Sequence, residues 1–454
     1  LPSATYPARF GDMANDYNAN QRARASERDP MLNKIGMGSA PRDAGWIVYI
    51  VLLLNGLGVL LPWNMFITIA PQYYVTYWFT GPNGTSTEYS EKFMSALGVA
   101  SQVPNLSINI INIFLVIGGS LLLRLFGPLI LNCINIVIVL VLIALFDPSE
   151  EAMGWFYAAT LVLVAVLNAS NGLYQNSIFG LTSDFPPNYT NAVVLGNNMC
   201  GIFTTVLNMV CTEIFDSYKT IALIYFSISL ATLIACGVLL VFGTQKRFYK
   251  YYIAAGERAR AEQRTEKPSL GQYVECFKDC WVQLLCVFFT FFVTLSIFPS
   301  VMVKIPISLM PGEEWSFFIP DRQYINITTF LNFNLFAVLG SFAANFIQIP
   351  SERFLWVPVL ARALFIPLFM FMNYSPDTRT FQVLFDSPWV FILSVTLLAL
   401  SHGYLSSLGM MYAPRVVHPS LSMIAGKSSA MCLILGITCG CTFVFAIQAI
   451  ITSF

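Results

Sequence analysis

The chain has 454 residues, of which 56% are hydrophobic, 15% aromatic and only 11% charged, with 24 Lys and Arg against 24 Asp and Glu. A soluble domain carries about a quarter charged residues, so this composition excludes a water-soluble catalytic domain and points to a chain solvated largely by lipid. The longest polar stretches are the first 45 residues and about 244–280, too little to build a separate soluble enzyme.

Residues 1–45 mix Asn, Ala, Arg, Asp and Gly without periodicity and read as a disordered cytosolic tail. Runs near ~20 apolar residues, the length that crosses ~30 Å of hydrocarbon, then recur near 46–69, 95–122, 127–146, 155–181, 191–214, 219–243, 281–304, 324–348, 354–373, 387–412 and 425–452. The sequence therefore predicts an all-α polytopic membrane protein with 11 transmembrane helices. The first span contains NGLGVLLPWNMFITIAPQYY from Asn55, which sets Pro62, Trp63 and Asn64 side by side. Pro62 has no N–H, so it frees the carbonyl of Gly58 one turn back. Inside a bilayer a loose carbonyl is tolerated only beside protein or a wet cavity. A solute path fits that position; a packing kink beside an interfacial Trp is the structural alternative.

The second span carries Gln102, Asn105, Asn109 and Asn112 on one face, the fourth Asn168, Asn171 and Gln175, and the eighth Asn334, Ser341 and Asn345. Carboxamides hydrogen-bond across helices in many membrane proteins, and that glue role stands as the alternative for every single residue. Three stripes together with the Trp63–Asn64 pair point to an amide-lined cavity. No Asp or Glu lies well inside a span, and Arg362 and Lys427 are the charges found there. Ion-coupled carriers keep titrating or coordinating groups within the membrane, so passive movement of a neutral, hydrogen-bonding, partly flat solute is expected.

Between the sixth and seventh runs, QKRFYKYYIAAGERARAEQR is basic and aromatic. It suits a helix lying on an anionic inner leaflet or a solvated linker. Residues 244–280 thus form a cytosolic linker loop between an N-terminal six-helix bundle, 46–243, and a C-terminal five-helix bundle, 281–454, with a solute site expected at their interface. With the N-terminus in the cytosol, inner segments hold seventeen Lys and Arg and outer segments five, which fixes that orientation and leaves Phe454 outside. Asn83 then heads a glycosylation sequon on the first outer loop, while Asn188-Tyr189-Thr190 faces the cytosol. The ten Cys form no obvious lumenal pair, and two His, His402 and His418, are too few for a metal site of ordinary spacing. No phosphate loop or HExxH is present, and Gly56-x-Gly58 lacks a third glycine. No enzyme, metal or cofactor is expected.

Seven segments carry a resemblance. LLPWN with FITxAxxY at 60–73, YQNSIFGL at 174–181, PPNYTNAVVLGNNMCG at 186–201, FPSVMV at 298–303, FNLFAVLGS at 333–341, WVPVLARALFIPL at 356–368 and SHGYLSSLGMMYAPRVV at 401–417 resemble, in order, the equilibrative nucleoside transporters, the solute carrier 29 family. The likeness covers nearly all of the chain beyond the tail. It implies a major-facilitator-like, pseudo-symmetric bundle of 6+5 helices. It also implies that Trp63 packs the nucleobase and Gln175 hydrogen-bonds it, with Leu60, Gln102 and Asn105 at neighbouring pocket positions. Gly196 matches a fifth-span glycine that permits close approach. Members usually carry FNxxDxxGR in the eighth span, where this chain has Ala337 and Ser341. Both members of a mutually neutralising pair are replaced together. Acidic residues expected before the eleventh span are replaced by Leu421 and Met423. Those departures imply weaker nucleoside affinity, a shifted substrate, or ribose contacts made instead by Asn334, Ser341 and Asn345.

The resulting expectation is facilitative, alternating-access transport of nucleosides, with nucleobases as an alternative, at the plasma membrane. Candidate binding residues are Trp63, Gln175, Leu60, Asn64, Gln102, Asn105, Asn334 and Ser341. Pro62, Pro104, Pro299 and Pro367 mark gate regions, and Gly196 and Arg362 serve packing or gating. The partners are a small solute and the lipid bilayer, with neither a nucleic acid polymer nor an obligate protein partner. Two rivals belong to other classes: an organic cation or monoamine carrier, which wants an acid in the cavity, and a non-transporting receptor or scaffold of the same fold.

Overall fold

The computed structural model describes residues 40–81, 84–114, 121–262, 270–307, 317–376, 379–380 and 382–453. Most of the predicted tail and the Asn83 sequon lie outside them. The chain is all helical: α1 (Ile47–Ile69), α2 (Glu88–Phe114), α3 (Leu121–Leu145), α4 (Glu150–Thr182), α5 (Pro187–Ile214), α6 (Tyr218–Thr244), α7 (Arg247–Glu262), α8 (Leu270–Leu295), α9 (Asp321–Ile325), α10 (Asn332–Ala343), α11 (Trp356–Ala361), α12 (Phe365–Met370), α13 (Pro388–Val416) and α14 (Ser422–Ser453). Asp43 anchors the start of α1, its carboxylate accepting from the Val48 and Tyr49 amides at 3.2 and 3.1 Å. Ser149 caps α4 through the Ala152 amide, with Glu150 and Glu151 in the first turn complementing the helix dipole. Pro187 and Pro388 open α5 and α13 at positions whose N–H has no helical partner.

Among the described residues nine helical stretches are long and apolar enough to cross a membrane. Two predicted spans fall outside that set, for different reasons. The polar stripe and the charges Glu88, Glu91 and Lys92 dilute α2. The apolar stretch Trp356–Met370, α11 and α12 joined by a 3-10 turn, is short, reaching about 22 Å. The first span is longer than expected, since α1 runs through Pro62 and continues as a π-helix over Ala70–Trp78. On α3, Ile130, Ile134, Val137, Ile138, Val141 and Leu145 are exposed at helical spacing, a lipid-facing stripe.

Two groups of helices share one packing pattern. In the first, α1 lies along α5, α2 along α4, and α3 along α6. In the second, α8 lies along α14 and α10 along α13. Glycines set the closest approaches, as expected where helices associate without a hydrophobic driving force. A Cβ on Gly196 would sit 2.0 Å from the Leu53 carbonyl oxygen, and one on Gly403 would sit 1.9 Å from that of Ala337. The groups meet where α4 and α2 face α14, and where α5 faces α10 and α13.

Within the linker, α7 packs part of its surface on the helices before it. Helix α7 buries Phe248 and Tyr249 against the turn between α4 and α5. Their rings meet Phe185, and Phe248 also meets Tyr189 at 4.9 Å. Two of the aromatic residues that suggested lipid contact, Phe248 and Tyr249, thus dock on protein.

Candidate solute site

Trp63 lies on α1 half-buried and packed against the apolar core of the first group. Its ring has no aromatic neighbour and its indole N–H no acceptor among the described residues. Next to it, Asn64 donates to the Leu60 carbonyl at 3.0 Å and reaches Cys200 Sγ on α5 at 3.5 Å. Gly201 beside that cysteine faces Asn334 of α10, whose Oδ1 would lie 1.9 Å from an added Cβ. Asn64 and Asn334 thus flank the same turn of α5 from the two groups. Leu60 is half-buried and Pro62 buried, inside a helix that does not break.

Gln175 and Asn176 sit together on α4 in contrasting states. Asn176 is fully engaged: its Oδ1 accepts from Asn112 at 2.8 Å, and its Nδ2 donates to Asn109 Oδ1 at 3.2 Å and the Lys427 carbonyl at 3.1 Å. Gln175 is 3% exposed and has no hydrogen-bond partner among the described residues. A carboxamide offers two donors and two acceptor lone pairs, and Gln175 spends none of them on a described residue. Gln175 therefore has hydrogen-bonding capacity free for a solute.

The α2 stripe makes hydrogen bonds within its own helix and to its neighbours. Asn109 donates to both the carbonyl and side-chain oxygen of Asn105 at 2.9 and 3.0 Å, and Gly172 on α4 leaves room for that pair. Gln102 accepts from Thr438 of α14 at 3.3 Å. On α4, Asn168 folds back to the Val164 carbonyl at 3.0 Å, and Asn171 accepts from Asn132 at 2.6 Å.

The departures in the eighth span are absorbed by direct packing. Ala337 is fully buried where α10 meets Gly403. Ser341 Oγ donates to the Gly403 carbonyl at 3.1 Å and accepts from Asn198 of α5 at 2.7 Å. The Ser341 carbonyl accepts from Asn191 at 2.7 Å, Asn191 also donates to Asn345 Oδ1 at 2.9 Å, and Asn345 donates to Tyr49 at 3.0 Å. Ser341 and Asn345 here tie the groups together. Asn191 and Asn198 were absent from the sequence-based set although their seven-residue spacing puts them on one face of α5; nothing in the sequence marked Tyr49.

Farther out, Arg362 is 2% exposed. Its guanidinium donates to the Thr290 and Leu398 carbonyls, Ser401 Oγ and Thr294 Oγ1 at 2.7–3.3 Å, so neutral acceptors hold it between α8 and α13. Pro299 is half-buried in the turn after α8.

The family described as "Nucleoside transporter" matches residues 160–449, a stretch holding Gln175, Asn191, Asn198, Asn334, Ser341 and Arg362. The chain belongs to the nucleoside transporter family. Its relatives include human equilibrative nucleoside transporter 2, 28% identical with 91% of this chain and 99% of that protein covered. Rat equilibrative nucleoside transporter 3 is 28% identical with 88% of each covered, and human equilibrative nucleoside transporter 1 is 27% identical with 90% and 99% covered. The solved structure of the human organic anion transporter MFSD10 (TETRAN) aligns over 90% of this chain and 93% of its own at 15% identity and a TM-score of 0.47. Membership in the nucleoside transporter family accords with a polytopic helical chain.

Proposed function

We propose that this protein carries nucleosides across a membrane passively, by alternating access. The observation that carries the reading is the family match over 160–449, and the geometry supports it: Gln175, inside that stretch, and Trp63 on α1 hold free polar and aromatic capacity. In this reading the base stacks on Trp63 and hydrogen-bonds Gln175, with Leu60, Asn64, Gln102 and Asn105 around it. Asn334 and Ser341 approach the solute as the groups rearrange. Neutral residues at 337 and 341 leave the ribose weakly held, which raises KM rather than ending transport.

The proposal includes an eleven-span arrangement in which α2 and the Trp356–Met370 stretch join the nine long apolar helices, giving bundles of six and five. The pattern of first helix with fifth and second with fourth, found in both groups, supports that division. It also places the N-terminus and α7 in the cytosol, Asn83 and the C-terminus outside, and the protein in the plasma membrane.

The test is uptake of labelled adenosine and uridine into vesicles holding the pure protein, with and without a pH gradient. Saturable, gradient-independent flux that unlabelled nucleosides suppress is expected. Flux that requires the gradient would overturn passive transport, and absence of any nucleoside flux would overturn the substrate.

A further inference from the structure

At the end of the bundle where α7 docks, one buried carboxylate is paired with a cation of α7, and two further cations lie near that cation. Asp184, in the turn between α4 and α5, has a side chain 1% exposed and accepts from Arg260 of α7 at 3.0 and 2.9 Å and from Ser422 Oγ of α14 at 3.1 Å. The other two cations have no such partner. Lys427 of α14 is 8% exposed, and its ammonium forms no hydrogen bond or ion pair with any described residue. Its stem lies against Gly180 of α4, where a Cβ would meet its Cγ at 3.1 Å and its Cε at 3.3 Å. Arg124 and Arg260 are its charged neighbours. Arg124 of α3 likewise forms no hydrogen bond or ion pair with any described residue, and its Nε is buried without an acceptor.

With Asp184 already held by Arg260 and Ser422, and Glu257 a second carboxylate near Asp184, Arg124 and Lys427 present charges and N–H donors that no carboxylate of a described residue pairs with. Such groups are stable when an anion supplies both charge and acceptor oxygens. A guanidinium fork and a nearby ammonium together suit a tetrahedral oxyanion, the fork taking two oxygens and the ammonium acting as a point charge. We propose that Arg124 and Lys427, with Arg260 at the rim, bind a phosphate group at the α7 end of the α4–α14 crossing. The crossing joins the two helix groups, so an anion held there pins them together. This site is independent of the one at Trp63 and Gln175, and neither requires the other.

The experiment is thermal unfolding of the full chain in neutral maltoside micelles, with sodium phosphate titrated against sodium chloride at constant ionic strength. The wild-type midpoint should rise saturably. Lys427→Gln should need about tenfold or more phosphate for half the effect, and Arg124→Gln should show the same weakening, which covers the case that one variant fails to fold. Lys92→Gln, at an exposed lysine paired with Glu88, should respond like wild type. A second arm adds phosphatidic acid to the micelles. If it stabilises wild type but not Lys427→Gln while inorganic phosphate does nothing, the phosphate belongs to a lipid headgroup and the site stands. No Lys427-dependent stabilisation in either arm, or equal phosphate responses in wild type and both variants, would overturn it. Because the readout is stability and not flux, its outcome is separate from that of the nucleoside reading.

Discussion

Gln175 and Asn176 adjoin in the chain, yet substitution should affect them oppositely. Gln175→Ala removes no bond to a described residue, so its melting midpoint should stay near wild type while uptake KM rises about tenfold, the worth of one good hydrogen bond. Unchanged kinetics for every substrate would remove Gln175 from the site. Asn176→Ala breaks three inter-helix bonds and should cost ~1–3 kcal/mol of stability, read as a lower denaturation midpoint. A third residue gives a pH signature. Burial raises the Asp184 carboxyl pKa, opposed by Arg260 and Ser422. A raised folded pKa means that folding gains from the protonated acid below the unfolded pKa and loses that gain as pH rises through the folded one. Arg260→Gln leaves the carboxylate stranded, so a loss of ~3 kcal/mol is expected at pH 7.5 and a smaller one at pH 5, measured by thermal unfolding at both. At this scale the sequence disclosed residue types but not their partners. The spacing of Asn105, Asn109 and Asn112 fits a cavity wall as well as an inter-helix network; only the structure shows that Asn109 and Asn112 bond Asn176 of α4. Gln175 belongs to the same kind of stripe and is left without a partner.

Helices were legible in proportion to their hydrophobic contrast. Most long apolar runs appear near their expected limits because lipid solvation and backbone hydrogen bonding both favour a continuous helix there, but the run read at 281–304 is α8, which starts at Leu270, inside the expected linker, and ends at Leu295. The π-helical extension to Trp78 was hidden because hydropathy carries no information on hydrogen-bond register. The docking of α7 was hidden too, since aromatic and basic residues suit a lipid surface and an aromatic protein face alike. Close packing gives a sharper forecast. Gly403→Val should force α10 and α13 apart, because even a Cβ there would overlap the Ala337 carbonyl. A cost of at least ~2 kcal/mol is expected, seen as a lower yield of monodisperse protein. Valine at half-buried Gly98, where a Cβ meets nothing within 4 Å, is the control and should behave like wild type.

Across the whole molecule, uncharged hydrogen bonds join the groups at the Ser341–Asn191–Asn345–Tyr49 chain. Neutral contacts are cheaper to break than buried ion pairs, which suits surfaces that must separate repeatedly. Removing Asn191 and Asn345 side chains together should shift the population toward a form open on that side. Spin-label distances across the gap, measured by double electron–electron resonance, should lengthen; an unchanged distribution would make the chain incidental. The polar interruption at 244–280 suggested a division of the chain, but which helices face one another across the groups was not legible, because amide stripes do not name their partners. One consequence follows from the short Trp356–Met370 stretch. Trp356, Val357, Leu360 and Leu364 are 47–72% exposed, presenting to the acyl chains an apolar height several ångströms below the ~30 Å of an average bilayer. On the eleven-span reading, the membrane must thin beside the five-helix bundle, so turnover should fall as reconstituting lipids lengthen from fourteen- to twenty-carbon chains. The thickness of the surrounding membrane then acts as a setting on the carrier.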